Sequence, residues 1–382
     1  MKVYGIGIIG YGGFGKFLHH SWKKMENVRI AAVSSEEPLS EPLPDIKFYR
    51  EWRDLLKDEE VEIVSVATPP SSHGEIACAA MEAGKHVLIE KPITTTLEEG
   101  NKILSTQRKT GKTASVNYMM RFNPIVEALG TLSKKKILGE LRRVDVENYA
   151  QDSGLPQQHW FWDRSISGGI LIEHAVHFID LVNSLTDQKS LISTGLCHSR
   201  NERQQDQVLA SVLYQRGLIA THYHAFAYPG FFESTSIRLA FDLAVFDIQG
   251  WIPLTGHLTA MVNPYSREAL SQLPGLIIRF CEKIHSIQDL SRPEGWGDTA
   301  QQQSPPDRIF SHGIAYDVEE MVKGSFEISK SKADVYSDCV RALLADLISA
   351  VENKDHRMRV TIEDGLSSIE IAAQATSSAE KQ

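Results

Sequence analysis

The feature that most constrains this chain is Gly10-x-Gly12-x-x-Gly15. It lies between the apolar, β-branched run "VYGIGIIG" and the helically spaced segment "YGGFGKFLHHSWKKM". The order strand, glycine turn, helix is what a dinucleotide site requires. Gly10 permits the tight turn, Gly12 lets a pyrophosphate approach the backbone, and Gly15 lets the helix lie close to the strand. The helix N-terminus then offers free N–H groups to the phosphates. Gly13 and Phe14, in the same turn, are counted with them as cofactor contacts. The next strand, "VRIAAVSS", follows at the distance expected of a βαβ unit. At its end an NAD site usually carries an acid for the ribose 2′-hydroxyl; here Ser35 occupies that place, followed by Glu36 and Glu37. Two carboxylates with no arginine close in sequence favour NAD, with NADP as the alternative.

The alternation continues. "EWRDLLKD", "SSHGEIACAAMEAGK" and "TLEEGNKILSTQRKTG" are predicted helices, and "VEIVSVATPP", "HVLIEKP" and "TASVNYMMRFNP" predicted strands. Such βαβα order predicts a doubly wound parallel sheet, with ligands at the carboxyl ends of its strands. That puts Thr68, Pro69 and Pro70, His73, Glu90-Lys91-Pro92 and Asn117-Tyr118 beside the cofactor. From about residue 123 the pattern changes. "ELRRVDVENYAQD", "GLIATHYHAFAY" and "TSIRLAFDLAVFDIQG" alternate like longer, antiparallel strands. The expectation is therefore two domains. Residues 1–122 form a Rossmann NAD(P)-binding unit, and residues 123–382 an α+β unit of longer, mostly antiparallel strands; the resemblance given below implies that this unit binds substrate and self-associates. The Pro-, Gly-, Gln- and Ser-rich stretch 290–330 reads as a surface excursion or insertion. "ADVYSDCVRALLADLISAVEN" reads as an amphipathic helix, and Thr361 with Asp364 as the capping box of the last one.

Composition removes several classes. A net charge of −9 over 382 residues argues against a nucleic-acid binder. No apolar run suggests a membrane span, and the first residues read as a strand rather than a leader. The four scattered cysteines suit reduced thiols in a cytoplasmic protein.

Several stretches together resemble the glucose–fructose oxidoreductase / inositol dehydrogenase (Gfo/Idh/MocA) family: "GIIGYGGFG", "VATPPSSHGEIACAAMEAGKHVLIEKP", "VNYMMRFNP", "GGILIEHAVHFIDL" and "VTIEDGLSSIEIAAQATSSA". The resemblance implies a Rossmann domain followed by a domain on a large open, mostly antiparallel sheet. It also implies tightly held NAD(P), a sugar, cyclitol or related polyol substrate, and a homodimer or homotetramer built through that sheet. The Lys91–Pro92 bond is often cis in the family, and the family normally has Asp where this chain has Glu173.

In "GGILIEHAVHFID", α-helical spacing puts Glu173, His177 and Asp180 on one face and turns His174 toward Phe178 and Leu181. The two histidines stand three apart with the glutamate before both. A zincin site needs them four apart around it, so no metal site is expected. His222 and His224, two apart, read as sheet-face residues or substrate contacts. The predicted chemistry is removal of hydride and proton from a secondary alcohol. Lys91 polarises the oxygen, His177 transfers the proton, and Glu173 supports the histidine. Trp160, His159 and Asp163, in the loop before this helix, are candidate sugar contacts, with Trp162 a weaker one. Tyr118 and Arg121 are candidates from the other side, although Arg121 can equally tie the two domains together. Two other readings stay open: a redox-neutral glycoside hydrolase or lyase working through a transient 3-keto sugar, and a non-catalytic NAD-binding sensor.

Overall fold

The computed structural model describes residues 2–39, 41, 43–284 and 308–381. The first third builds β1 (Tyr4–Ile9), α1 (Gly13–Trp22), β2 (Val28–Ser34), β3 (Lys47–Tyr49), α2 (Trp52–Leu55) and β4 (Ile63–Val66). It continues with α3 (His73–Glu82), β5 (His86–Ile89), α4 (Leu97–Thr110) and β6 (Ala114–Val116). The six strands form one sheet in the order β3-β2-β1-β4-β5-β6, with every pairing parallel. The strands β1, β4, β5 and β6 are almost wholly buried, because helices cover both faces and no side chain needs to be polar. The order reverses between β1 and β4, so a crevice opens above their carboxyl ends.

The chain leaves this sheet through a 3₁₀ turn at Met119–Phe122 and enters α5 (Pro124–Lys134). Asn123 caps α5 with its side-chain oxygen, and Pro124 takes the first helical position. The next elements are β7 (Leu141–Gln151), α6 (Arg164–Ser167) and α7 (Val176–Leu185), followed by β8 (Ser190–Ser199), β9 (Gln205–Tyr214), β10 (Ile219–Tyr228), β11 (Ser234–Phe241), β12 (Ala244–Gln249), β13 (Thr255–Val262), α8 (Pro264–Leu270) and β14 (Ile277–Lys283). A small hairpin, β15 (Arg308–Ser311) and β16 (Ile314–Asp317), precedes β17 (Glu320–Glu327), α9 (Lys332–Glu352) and α10 (Ile362–Ala379).

Among the described residues the second sheet has nine strands, ordered β14-β17-β13-β12-β11-β7-β10-β9-β8. Only β7 and β10 pair in parallel. Burial alternates along β7, β9 and β13 as expected of a sheet with one covered face. Two expectations change here. "TSIRLAFDLAVFDIQG" is a hairpin, β11 and β12, turning at Asp242-Leu243. The buried Asp242 carboxylate organises this corner, taking hydrogen bonds from the Glu140 N–H, Arg142 and Tyr316. Part of the stretch read as an excursion, Glu320–Glu327, is an interior strand between β13 and β14. The remainder of that stretch up to residue 307 lies outside the described residues.

The last two helices return to the first half. α9 packs on α1 and β5, and Trp22 Nε1 donates to the Val340 carbonyl at 3.1 Å. α10 packs on β8, α7 and α4. Ser115 Oγ, on β6, donates to the Val360 carbonyl just before α10, at 2.9 Å. The run Arg164–Leu185 has the length and mean hydropathy (1.3) of a membrane span, contrary to the sequence expectation; 72% of its apolar window is buried inside the protein.

Candidate active site

A cavity of about 420 Å³ opens where the first sheet's switch point meets α7. Gly12, Gly13 and Phe14 form one wall, with Thr68, Pro69 and Pro70 at the end of β4. Gly10 has φ +94°, and a Cβ there would lie 2.4 Å from the Ala67 carbonyl oxygen. At Gly15 a Cβ would lie 2.2 Å from the Gly10 oxygen, so the helix could not approach the strand. Around the positions of a Cβ on Gly12 and Gly13 there is nothing within 4 Å among the described residues. α1 also begins with no side-chain cap and no acid in its first turn. Open space, uncapped N–H groups and the positive end of the helix dipole fit a dinucleotide pyrophosphate.

Lys91 follows β5, and its bond to Pro92 is cis. Its Nζ donates to the Glu173 carbonyl at 2.8 Å and to Glu173 Oε1 at 2.7 Å. Both side chains are largely buried, so the pair joins the Rossmann half to the second half at the cavity floor. Burial raises the Glu173 carboxyl, but the Lys91 charge and hydrogen bond outweigh it, and the group titrates below the usual carboxylate range. An ammonium has three donors, so one remains for a ligand.

Glu173 sits in a π turn, Leu171–Ala175, that runs into α7. The wider turn inserts an extra residue into the helical repeat. His174, which α-helical spacing turns away, therefore lines the cavity together with Glu173 and His177. It also packs on Phe178, as the spacing predicts. His177 is 5% exposed, with Nδ1 buried and without a partner among the described residues, which leaves Nε2 as the nitrogen able to meet a ligand. Burial, then the Lys91 charge, hold its pKa well below the ordinary histidine value, so the ring is neutral and able to accept a proton. Glu90, beside Lys91 in sequence, is pushed up to about 8 by burial; Asn117 Nδ2 donates to its Oε1 at 2.5 Å.

Trp160 lines the cavity, joined by Trp251 and Tyr336, which the sequence reading did not single out. The Trp251 ring stands edge-on to His177 at 5.5 Å and to Tyr336 at 5.3 Å. Trp251 lies in the β12–β13 turn, and an aromatic ring at a turn is the one available signal. Tyr336 lies in an ordinary amphipathic helix and carries no signal.

Residues 4–118 match the family model described as "Oxidoreductase family, NAD-binding Rossmann fold", and residues 126–241 match "GFO/IDH/MocA C-terminal domain". The chain belongs to the Gfo/Idh/MocA oxidoreductase family. A levoglucosan dehydrogenase of Pseudarthrobacter phenanthrenivorans is 30% identical over 38% of this chain and 38% of its own length. The scyllo-inositol 2-dehydrogenase (NADP(+)) IolW of Bacillus subtilis is 27% identical over 52% of this chain and 56% of its own length. The matches thus span roughly a third to two thirds of the curated relatives. An oxidoreductase domain protein from Kribbella flavida shares the fold with a TM-score of 0.74 at 18% identity, covering 100% of this chain and 98% of the other.

Within this Gfo/Idh/MocA fold several predicted site residues lie elsewhere. Arg121 is outside the cavity lining. It grips Asp180 with two hydrogen bonds (2.9 and 2.6 Å), Asp364 at 2.9 Å and the Arg359 carbonyl at 2.7 Å, which ties the end of the Rossmann half to α7 and α10. Asp180 is consumed by that pair and does not share the cavity face with Glu173 and His177. Tyr118 is sealed behind His177, with ring centres 6.5 Å apart. His73 is fully buried, its ring bridging the carbonyls of Pro92 (2.7 Å) and Thr68 (2.8 Å) beneath the loops rather than facing a cofactor. His159 and Asp163 line a neighbouring groove, because both spend their acceptors on the backbone of the short helical turns that follow them. Ser35 and Glu36 stand past the end of β2, outside the cavity lining. An arginine does reach this corner: Arg50 Nε is 3.5 Å from the Glu36 carbonyl, brought there by β3. His222 and His224 are buried sheet-face residues, and none of their nitrogens has a partner among the described residues.

Proposed function

We propose that this chain is an NAD(P)-dependent dehydrogenase acting on a secondary hydroxyl of a neutral sugar, cyclitol or related polyol. The observation that carries the reading is the meeting of Lys91, Glu173 and His177 in one cavity against the open glycine turn. When bound, the nicotinamide dinucleotide supplies the hydride acceptor. Lys91, anchored through two donors, directs its third at the reacting oxygen and stabilises negative charge there. His177 accepts the hydroxyl proton on Nε2 during oxidation and returns it during reduction. Glu173 fixes the lysine rather than the histidine, which revises the role given to it from spacing alone. Trp160 and Trp251 offer apolar surfaces for the C–H faces of a polyol, and Lys91, the one lysine of the lining among the described residues, is already neutralised, so uncharged substrates are favoured over sugar acids. Self-association through the outward face of the nine-stranded sheet belongs to the same reading.

The test is reduction of NAD and NADP, followed by absorbance, across levoglucosan, scyllo-inositol and other neutral hexoses and cyclitols. His177→Ala is expected to lower kcat/KM by about 10²–10⁴-fold. Unimpaired turnover by His177→Ala, or absence of any turnover by the wild type, refutes the assignment.

A further inference from the structure

The scheme above leaves His174 without a task. Its ring is packed by Phe226 at 4.9 Å, His224 at 5.3 Å and Phe178 at 5.8 Å. Its Nε2 lies 3.0 Å from Asn148 Oδ1, on β7. The amide is itself oriented, because Asn148 Nδ2 donates to Thr235 Oγ1 on β11 at 2.7 Å. An amide oxygen only accepts, so the Nε2 of His174 carries the proton. Burial, against the opposing charge of Glu173, holds its pKa down to about 4, and the ring is neutral with one N–H. Nδ1 therefore keeps a lone pair. It has no partner among the described residues. Nor is it sealed in, unlike Nδ1 of His177 and both nitrogens of His224, and His174 lines the cavity.

We propose that His174 is a specificity-determining residue, whose Nδ1 lone pair, fixed by the Thr235–Asn148 relay, accepts a hydrogen bond from a second, non-reacting hydroxyl of the substrate. The proposal rests on the polyol reading above and deepens it. A cavity with a fixed acceptor beside the reacting centre selects compounds with a further hydroxyl within reach, and disfavours simple secondary alcohols and the matching deoxy analogues. The acceptor is charge-neutral and held by packing on three sides, so its role is recognition rather than proton transfer.

Two measurements on the full chain test this. Long-range nitrogen–proton correlation spectra of histidine-labelled wild-type protein, assigned with His174→Phe, are expected to show His174 protonated on Nε2 and bare on Nδ1. A proton on Nδ1 overturns the proposal whatever the substrate. In the polyol assay, His174→Phe is expected to raise KM by about 10–100-fold with kcat changed only a few-fold. His174→Asn, whose amide oxygen can take the place of Nδ1, is expected to stay close to wild type. On the deoxy analogue lacking the contacted hydroxyl, wild type and His174→Phe should converge, which a purely structural role would not produce. An unchanged KM in His174→Phe, or an equal loss on all analogues, overturns the proposal and leaves the dehydrogenase reading standing. No turnover of any polyol by the wild type overturns that reading and this one with it.

Discussion

Replacing Glu90 by glutamine isolates the electrostatics of the cavity wall. Glu90 is buried, accepts a hydrogen bond from Asn117, and has no ion-pair partner among the described residues, since its neighbour Lys91 is committed to Glu173. Burial moves the carboxyl from its ordinary 4.5 to about 8, against the smaller pull of Asn117 and Lys91. At neutral pH the folded protein therefore holds a proton here that the unfolded chain has released. More protons bound in the folded state means that stability falls as pH rises from 4.5 toward 8. At about 1.4 kcal/mol per pH unit, the full interval amounts to at most about 5 kcal/mol. Glu90→Gln keeps the size and the Asn117 contact and removes the titration. Thermal melts of both proteins without cofactor, at about pH 5, 7 and 9, should show a gap in favour of the variant that widens with pH, reaching several degrees. A gap that does not change with pH, or a wild type that pulls ahead at high pH, would mean that Glu90 is ionised in the fold and would refute the reasoning.

The two kinds of glycine in the turn should separate. Gly12→Val, at an extended backbone position with open space, should fold normally while losing dinucleotide affinity, whereas Gly15→Ala should lower the melting temperature or the soluble yield. Melts and calorimetric titration with NAD distinguish these, and a destabilised Gly12→Val contradicts the assignment of that space to a ligand. Arg50→Ala should weaken NADP by about 10–100-fold and spare NAD if the guanidinium meets a ribose phosphate; an equal effect on both cofactors removes Arg50 from that role. Arg121→Met strands the buried Asp180 carboxylate and should cost about 3–5 kcal/mol in denaturant unfolding. Catalytic loss at unchanged stability would instead return Arg121 to the substrate side.

The elements legible in the sequence were those dictated by local rules. Gly10 and Gly15 meet the steric constraints that their spacing announces, Gly12 faces open space, and the apolar runs with intervening amphipathic helices give the parallel sheet. Lys91, singled out from a strand end together with the family resemblance, and His177, singled out from helical spacing, both line the cavity. Failures came where distant packing decides. Nothing local marks Leu171–Ala175 as a π turn, so α-helical spacing gives His174 to packing alone. Arg121 leaves the sheet toward the site, but carboxylates from α7 and α10, arriving some 60 and 240 residues later, capture it. Arg50 is remote from Ser35 in sequence and is delivered by the pairing of β2 with β3. The strand at Glu320–Glu327 was hidden beside a Pro- and Gln-rich stretch whose composition masked its alternation.

The return of α9 has a consequence for biosynthesis. The Rossmann sheet is encoded first, yet one flank of it, including the Trp22 side chain and the Tyr336 wall of the cavity, is completed only by residues 332–352. While the ribosome translates the intervening two hundred or so residues, that flank lacks the cover that α9 later gives it. Domain-by-domain maturation from the N-terminus therefore leaves this flank of the first half without its α9 contacts until the end of synthesis. A stop codon before residue 332 removes the α9 contacts from the half that was made first.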